Sequence, residues 1–71
     1  MKYYRVNKDT SHNPNGNNEV HSEDCYHYNQ LVSYESLGQH SNCQSAVAEA
    51  KKKGYYRADG CVTCSPACHK G

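Results

Sequence analysis

Seventy-one residues with a formal charge of +1 allow one domain and carry no global field that would draw nucleic acid, a membrane or an acidic partner. The aliphatic inventory is two leucines, five valines and one methionine, with no isoleucine, phenylalanine or tryptophan, too little for a self-sufficient core, and small domains so placed carry disulfides or a structural metal. Seven tyrosines and five cysteines set the chain apart from disordered compositions.

Along the chain, KYYRVN at residues 2–7 predicts a short strand, with tyrosines and valine between charges. Residues 8–18 concentrate Asn, Pro, Gly, Ser and Asp and predict a flexible loop. Glu19, Val20 and His21 resume an extended pattern that pairs with the first strand as a hairpin. A third extended piece is expected over 31–38, LVSYESLG, stopping at Gly38. A helix follows at about 42–53, within a 41–54 unit. Ser41 as N-cap with Gln44 makes a capping-box pattern. Cys43, Ala46, Val47 and Ala50 form one apolar stripe, Lys51, Lys52 and Lys53 complement the macrodipole, and Gly54 supplies the stop. Tyr55 and Tyr56 return the chain to the sheet or core. Asp59-Gly60 turns it into a cysteine-rich segment, 60–71, where Ser65-Pro66 opens a short helical turn. The expected fold is α+β: two to three short antiparallel strands, one main helix and a C-terminal knuckle.

Cys61-Val62-Thr63-Cys64 is a C-x2-C knuckle preceded by Gly60. Two thiolates at that spacing in a tight turn reach one ion at about 2.3 Å, and backbone amides aimed at sulfur help to hold its charge. A tetrahedral site needs a second pair, which His21 and Cys25 supply as H-x3-C at the end of a predicted strand. His21, Cys25, Cys61 and Cys64 make a Cys3His set, a common structural zinc combination, with Cys68 and His69 as alternates and His27 as a substitute to watch. Disulfides are disfavoured on two counts. An odd number of cysteines leaves one unpaired. No apolar leader follows the amino end, so the expected compartment is the cytoplasm, where disulfides are rarely stable.

The succession of V-H-x3-C at Val20–Cys25, a short extended piece, Ser41, Ala46 and Ala50 on a helix, then Gly54-Tyr55 and the final C-x2-C resembles the Ada-type metal-binding domain. That is the small zinc module of bacterial alkylation-response regulators, and the likeness runs from Val20 to Cys64. It implies a zinc role for His21, Cys25, Cys61 and Cys64. In the family, the first paired position is the cysteine that accepts a methyl group from damaged DNA. His21 stands there, so the resemblance implies the zinc role without the acceptor chemistry. The YYRVNK, NPNGNNEVH and CSPACH runs are also similar to small uncharacterised bacterial proteins, which implies no activity.

The remaining residues have plain readings. Cys43 lies on the apolar stripe and reads as core packing, or as a reactive thiol if exposed in the first helical turn. His12, His27 and His40 read as surface residues. Lys51, Lys52, Lys53, Tyr55, Tyr56 and Arg57 interleave cations with rings, a weak nucleic-acid face or simply a solvated helix end. The expectation is therefore a non-enzymatic zinc-binding module that binds a protein or nucleic acid. The alternative is a thiol-based redox or alkyl-acceptor protein working through Cys61, Cys64 or Cys68.

Overall fold

The computed structural model describes residues 1–10 and 16–69. Strands β1 (Lys2–Asn7) and β2 (Asn18–Ser22) form the expected hairpin, with Tyr4 opposite Ser22, Arg5 opposite His21 and Val6 opposite Val20. Part of the expected 8–18 loop, His12 included, lies outside the described residues. Strand β3 (Tyr34–His40) pairs antiparallel with β1 on its other side. It starts later than the expected 31–38 because the chain first makes a 3-10 turn, Tyr26–Gln30, and a bend.

The sheet order is β3-β1-β2-β4, and this corrects the sequence reading in two ways. There are four strands among the described residues, and the fourth, β4 (Ala58–Gly60), runs parallel to β2. The crossover joining these two parallel strands contains β3 and helix α1 (Cys43–Lys52). A three-residue strand leaves no periodic signal in sequence; Asp59-Gly60 reads there as a turn. Pairing with β2 makes it a strand.

Strand alternation sends successive side chains to opposite faces. Tyr4, Val6, Val20 and Ala58 meet Leu37 and α1 on one face, where Ala46 and Ala50 lie fully buried. The predicted stripe is confirmed, with Cys43 and Val47 packed against the same cluster. Leu37 reaches that core through a bulge, because the register passes from Tyr4↔Gly38 to Arg5↔Ser36. Gly38 sits at φ +78°, a backbone state that glycine adopts at little cost.

On the opposite face Arg5 lies between two rings, its guanidinium carbon 4.0 Å from the Tyr28 centroid and 4.1 Å from that of Tyr34. It also donates to the Tyr28 carbonyl at 3.1 Å. His21 shares this face by register, and the 3-10 turn that carries Tyr28 covers it. Both sides of this short sheet are therefore covered, one by a helix and one by a cation stacked between tyrosines.

Helix α1 begins one residue later than the capping box suggests. Asn42 is the N-cap, its side chain accepting from the Ser45 amide at 2.9 Å. Ser41 and Asn42 are both competent caps, and Asn42 holds the extended backbone a cap requires. At the other end Gly54 has φ +106°. Its amide donates to Lys51 and that of Tyr55 to Ala50, the paired bonds of a Schellman stop. Tyr55 then folds onto the core, and its hydroxyl donates to Glu35 at 2.8 Å. Tyr56 does not return to the core; it is 85% exposed. Among the described residues no helix is long and apolar enough to cross a membrane.

The cap assignment has a direct check. Asn42→Ala should lower unfolding stability by about 1 kcal/mol, while Ser41→Ala should leave it within about 0.5 kcal/mol, as read from urea titrations of both variants.

Candidate metal centre

His21, Cys25, Cys61 and Cys64 come together, their ligand atoms all within 4.8 Å of one another. The two pairs arrive by different routes. His21 is the penultimate residue of β2 and is 2% exposed, among the largest fully buried side chains. The chain then turns through Glu23 and Asp24, and the Cys25 amide donates back to Ser22 at 2.9 Å. This turn brings Cys25 Sγ to 3.8 Å from His21 Nδ1. The second pair is delivered by the parallel ladder. Val20 pairs with Gly60, and the Cys61 amide donates to the Val20 carbonyl at 3.1 Å, so Cys61 emerges beside His21. The knuckle closes where the Ser65 amide donates to the Cys61 carbonyl at 2.7 Å, placing Cys64 Sγ 3.9 Å from His21 Nδ1.

These separations suit one small cation. Metal–sulfur and metal–nitrogen bonds of about 2.3 and 2.0 Å at tetrahedral angles put neighbouring ligand atoms roughly 3.6–3.8 Å apart. The donor set agrees, since both sulfur atoms measured from His21 face Nδ1. That leaves Nε2 on the far side of the ring, 3.9 Å from a Glu19 carboxylate oxygen. The His21 imidazole is neutral near pH 7, because burial, with the adjacent His27 ring adding to it, lowers its pKa to about 4. The contact is therefore a ring N–H directed towards a carboxylate and not an ion pair. At that distance the carboxylate makes no direct hydrogen bond, but its charge favours a proton on Nε2, the tautomer that leaves Nδ1 free to ligate. Glu19 is the charged neighbour of Nε2 that the sequence reading missed; its place two residues before His21, on the same strand face, is the signal.

Both knuckles aim backbone amides at sulfur. The His27 amide faces Cys25, and those of Cys64 and Thr63 face Cys61, each favouring the thiolate. Burial opposes them. It pushes the Cys25 thiol up to about 12, with Cys64 adding through a hydrogen bond and its charge, and it raises Cys61 as well. Without a cation these thiols stay protonated. A divalent ion reverses that balance, because it neutralises the sulfur charge that burial disfavours.

Cys68 does not join this cluster. It is in a disulfide with Cys43, across a Cα–Cα distance of 6.3 Å. The odd count therefore resolves as two bonded cysteines and three thiols, which corrects the expectation that disulfides are disfavoured. Cys43 both packs on the core and is covalently bonded. His69, the other alternate, donates through Nδ1 to the Gly60 carbonyl at 3.1 Å and lies 3.4 Å from Asp59. His27 is exposed, its ring 5.6 Å from that of His21, and its contribution to the cluster is its backbone amide. Ser65 is at the N-cap of the last 3-10 turn (Pro66–Cys68), with Pro66 at its start as expected, but its side chain makes no cap and instead faces Cys64 Sγ at 3.9 Å.

The interleaved cations and rings at 51–57 are dispersed. Lys53 lies 3.6 Å from both Glu35 and Glu49, and Tyr55 is turned to the core. Lys51, Lys52, Tyr56 and Arg57 remain exposed.

Gly60 carries a second constraint. A Cβ there would stand 2.6 Å from Cys68 Cβ and 2.7 Å from the Ser65 carbonyl oxygen, so the last turn packs directly on its backbone. Gly60→Ala should therefore cost about 1–3 kcal/mol and weaken divalent-ion binding, read by thermal melts with and without added ion. Acidification supplies an independent check. Ligation expels thiol protons, so affinity should fall at least roughly tenfold per unit of pH lowered from 8 to 6, measured by competition with a chromophoric chelator. His21 adds nothing to that slope, because its pKa of about 4 lies below the window. No family model, curated protein or solved structure matches this chain.

Proposed function

We propose that this protein is a small structural zinc-binding module that serves as an interaction domain. The observation that carries the reading is the convergence of one imidazole nitrogen and three sulfurs within 4.8 Å, drawn from segments remote in sequence. A Cys3His set of that compactness is typical of closed structural zinc sites, which leave no coordination position for substrate. In that role the ion fixes the fold and performs no chemistry, and its binding free energy becomes folding free energy. The likeness to the Ada-type domain points the same way, with His21 at the acceptor position arguing against methyl transfer.

What the ion would organise is the 3-10 turn beginning immediately after Cys25. That turn holds Tyr26, which is exposed, and Tyr28, which stacks on Arg5 beside Tyr34. Exposed tyrosines and a stacked arginine are the residue types enriched at recognition surfaces, and a protein or nucleic-acid partner is proposed for this face. A second reading is supported by one fact: Cys64 is the only free thiol of the three that is not fully buried. A metal-bound thiolate with solvent access is the one that would serve as an alkyl acceptor or redox thiol.

Elemental analysis of the purified protein should return about one zinc per chain. Chelator titration followed by circular dichroism should unfold it, and Cys61→Ser should do the same. Metal-free protein with an unchanged melt would overturn the structural-zinc reading. Stable methylation at Cys64 by a methylating agent, detected by peptide mass with zinc retained, would favour the second.

A further inference from the structure

Beside α1, away from the sulfur cluster, lies an open groove of about 480 Å³. One wall is a helix stripe that includes Gln44, Val47 and Lys51, and the other includes Arg57, the Asp59 carboxylate and Cys68. The volume is within the range of small-molecule sites. Two features give it chemical character. Cys68, on the wall, is half of the disulfide to Cys43 and is 6% exposed, so a thiol meets it only from the groove. Lys51 and Arg57 are cationic and exposed, and Lys51 stands eight residues along the helix from Cys43, about 12 Å at 1.5 Å per residue.

We propose that this groove is a thiol–disulfide exchange site for an anionic, low-molecular-weight thiol of peptide size. One of its carboxylates pairs with Lys51 while its sulfur reaches Cys68. The thiolate attacks Cys68 Sγ, forming a mixed disulfide and breaking the Cys43–Cys68 bond. The electron pair leaves on Cys43, the first residue of α1, where the helix N-terminus favours a thiolate and so a good leaving group. A second thiolate attacks the incoming thiol's own sulfur in the mixed disulfide and releases Cys68 as a thiolate. Both cysteine thiolates then take up protons. The balance is one protein disulfide reduced to two thiols and two external thiols oxidised to one disulfide.

The geometry also says what opening the bond does. The last turn packs on the Gly60 backbone through Cys68, one residue before Cys61. Cleavage removes the covalent strap between α1 and the segment that closes over the knuckle. This inference does not rest on the identity of any bound ion.

The test compares glutathione with its diethyl ester, thiols that differ in carboxylate charge. Reduction of the protein as purified is followed by acid quench and intact mass. Each rate per thiolate is normalised to the same thiol's reaction with bis(2-hydroxyethyl) disulfide. Glutathione should be faster by about threefold or more, an advantage screened away at high salt. Lys51→Glu and Gln44→Glu, both at exposed helix positions, should erase it. Peptide mapping of the trapped intermediate should place glutathione on Cys68. Equal normalised rates, an advantage unchanged in both variants, or an adduct on Cys43 would overturn the proposal. Metal content measured on the same samples separates this outcome from failure of the zinc reading, since the exchange needs no ion.

Discussion

Parallel pairing between β2 and β4 is the constraint on which the sulfur cluster depends. Because the two strands run the same way, they end at the same edge of the sheet, and the residue after each ladder bond faces its neighbour across about 4.8 Å. His21 on β2 and Cys61 just beyond β4 are thereby brought side by side by the Val20–Gly60 register. An antiparallel β4 would carry Cys61 towards Asn18 and away from the cluster. The hydrogen-bond ladder thus places the second pair of the cluster, and the two tight turns only complete it.

A polar group placed so deep needs compensation. His21 is buried as completely as Val6 and Val20, on the sheet face opposite the one that packs against α1. Three arrangements make the placement tolerable: Glu19 faces one ring nitrogen, the sulfurs face the other, and backbone amides face the sulfurs. The groups satisfy each other, and no buried side-chain nitrogen or oxygen among the described residues lacks a partner. Yet burial keeps Cys25 and Cys61 protonated, so ionising them requires positive charge of the kind a cation would supply.

The five cysteines divide the stabilising work by location. Three gather on the sheet edge with His21, and two tie the first turn of α1 to the final 3-10 turn. The two devices meet at Gly60, where only a residue without a side chain lets the last turn close. A small domain with little aliphatic area gains from the disulfide, which restricts the unfolded chain, and would gain again from an ion that binds only the folded one.

Much of the local architecture could be read directly from the residues. The β1–β2 hairpin, the α1 stripe at Cys43, Ala46, Val47 and Ala50, the stop at Gly54 and the Pro66 turn are all encoded in short-range patterns of period, cap and turn chemistry. The cluster of His21, Cys25, Cys61 and Cys64 was equally legible, because H-x3-C and C-x2-C each describe a local turn. Pairings between distant segments were not. Strand β4 is three residues long and becomes a strand only by bonding to β2. Cys43 and Cys68 carry no mark that distinguishes a disulfide from two free thiols, and Glu19 acquires its role only once the His21 ring is oriented. Local sequence specifies backbone conformation over a few residues; which of those pieces become neighbours is decided by how the whole chain closes its few apolar and sulfur contacts at once.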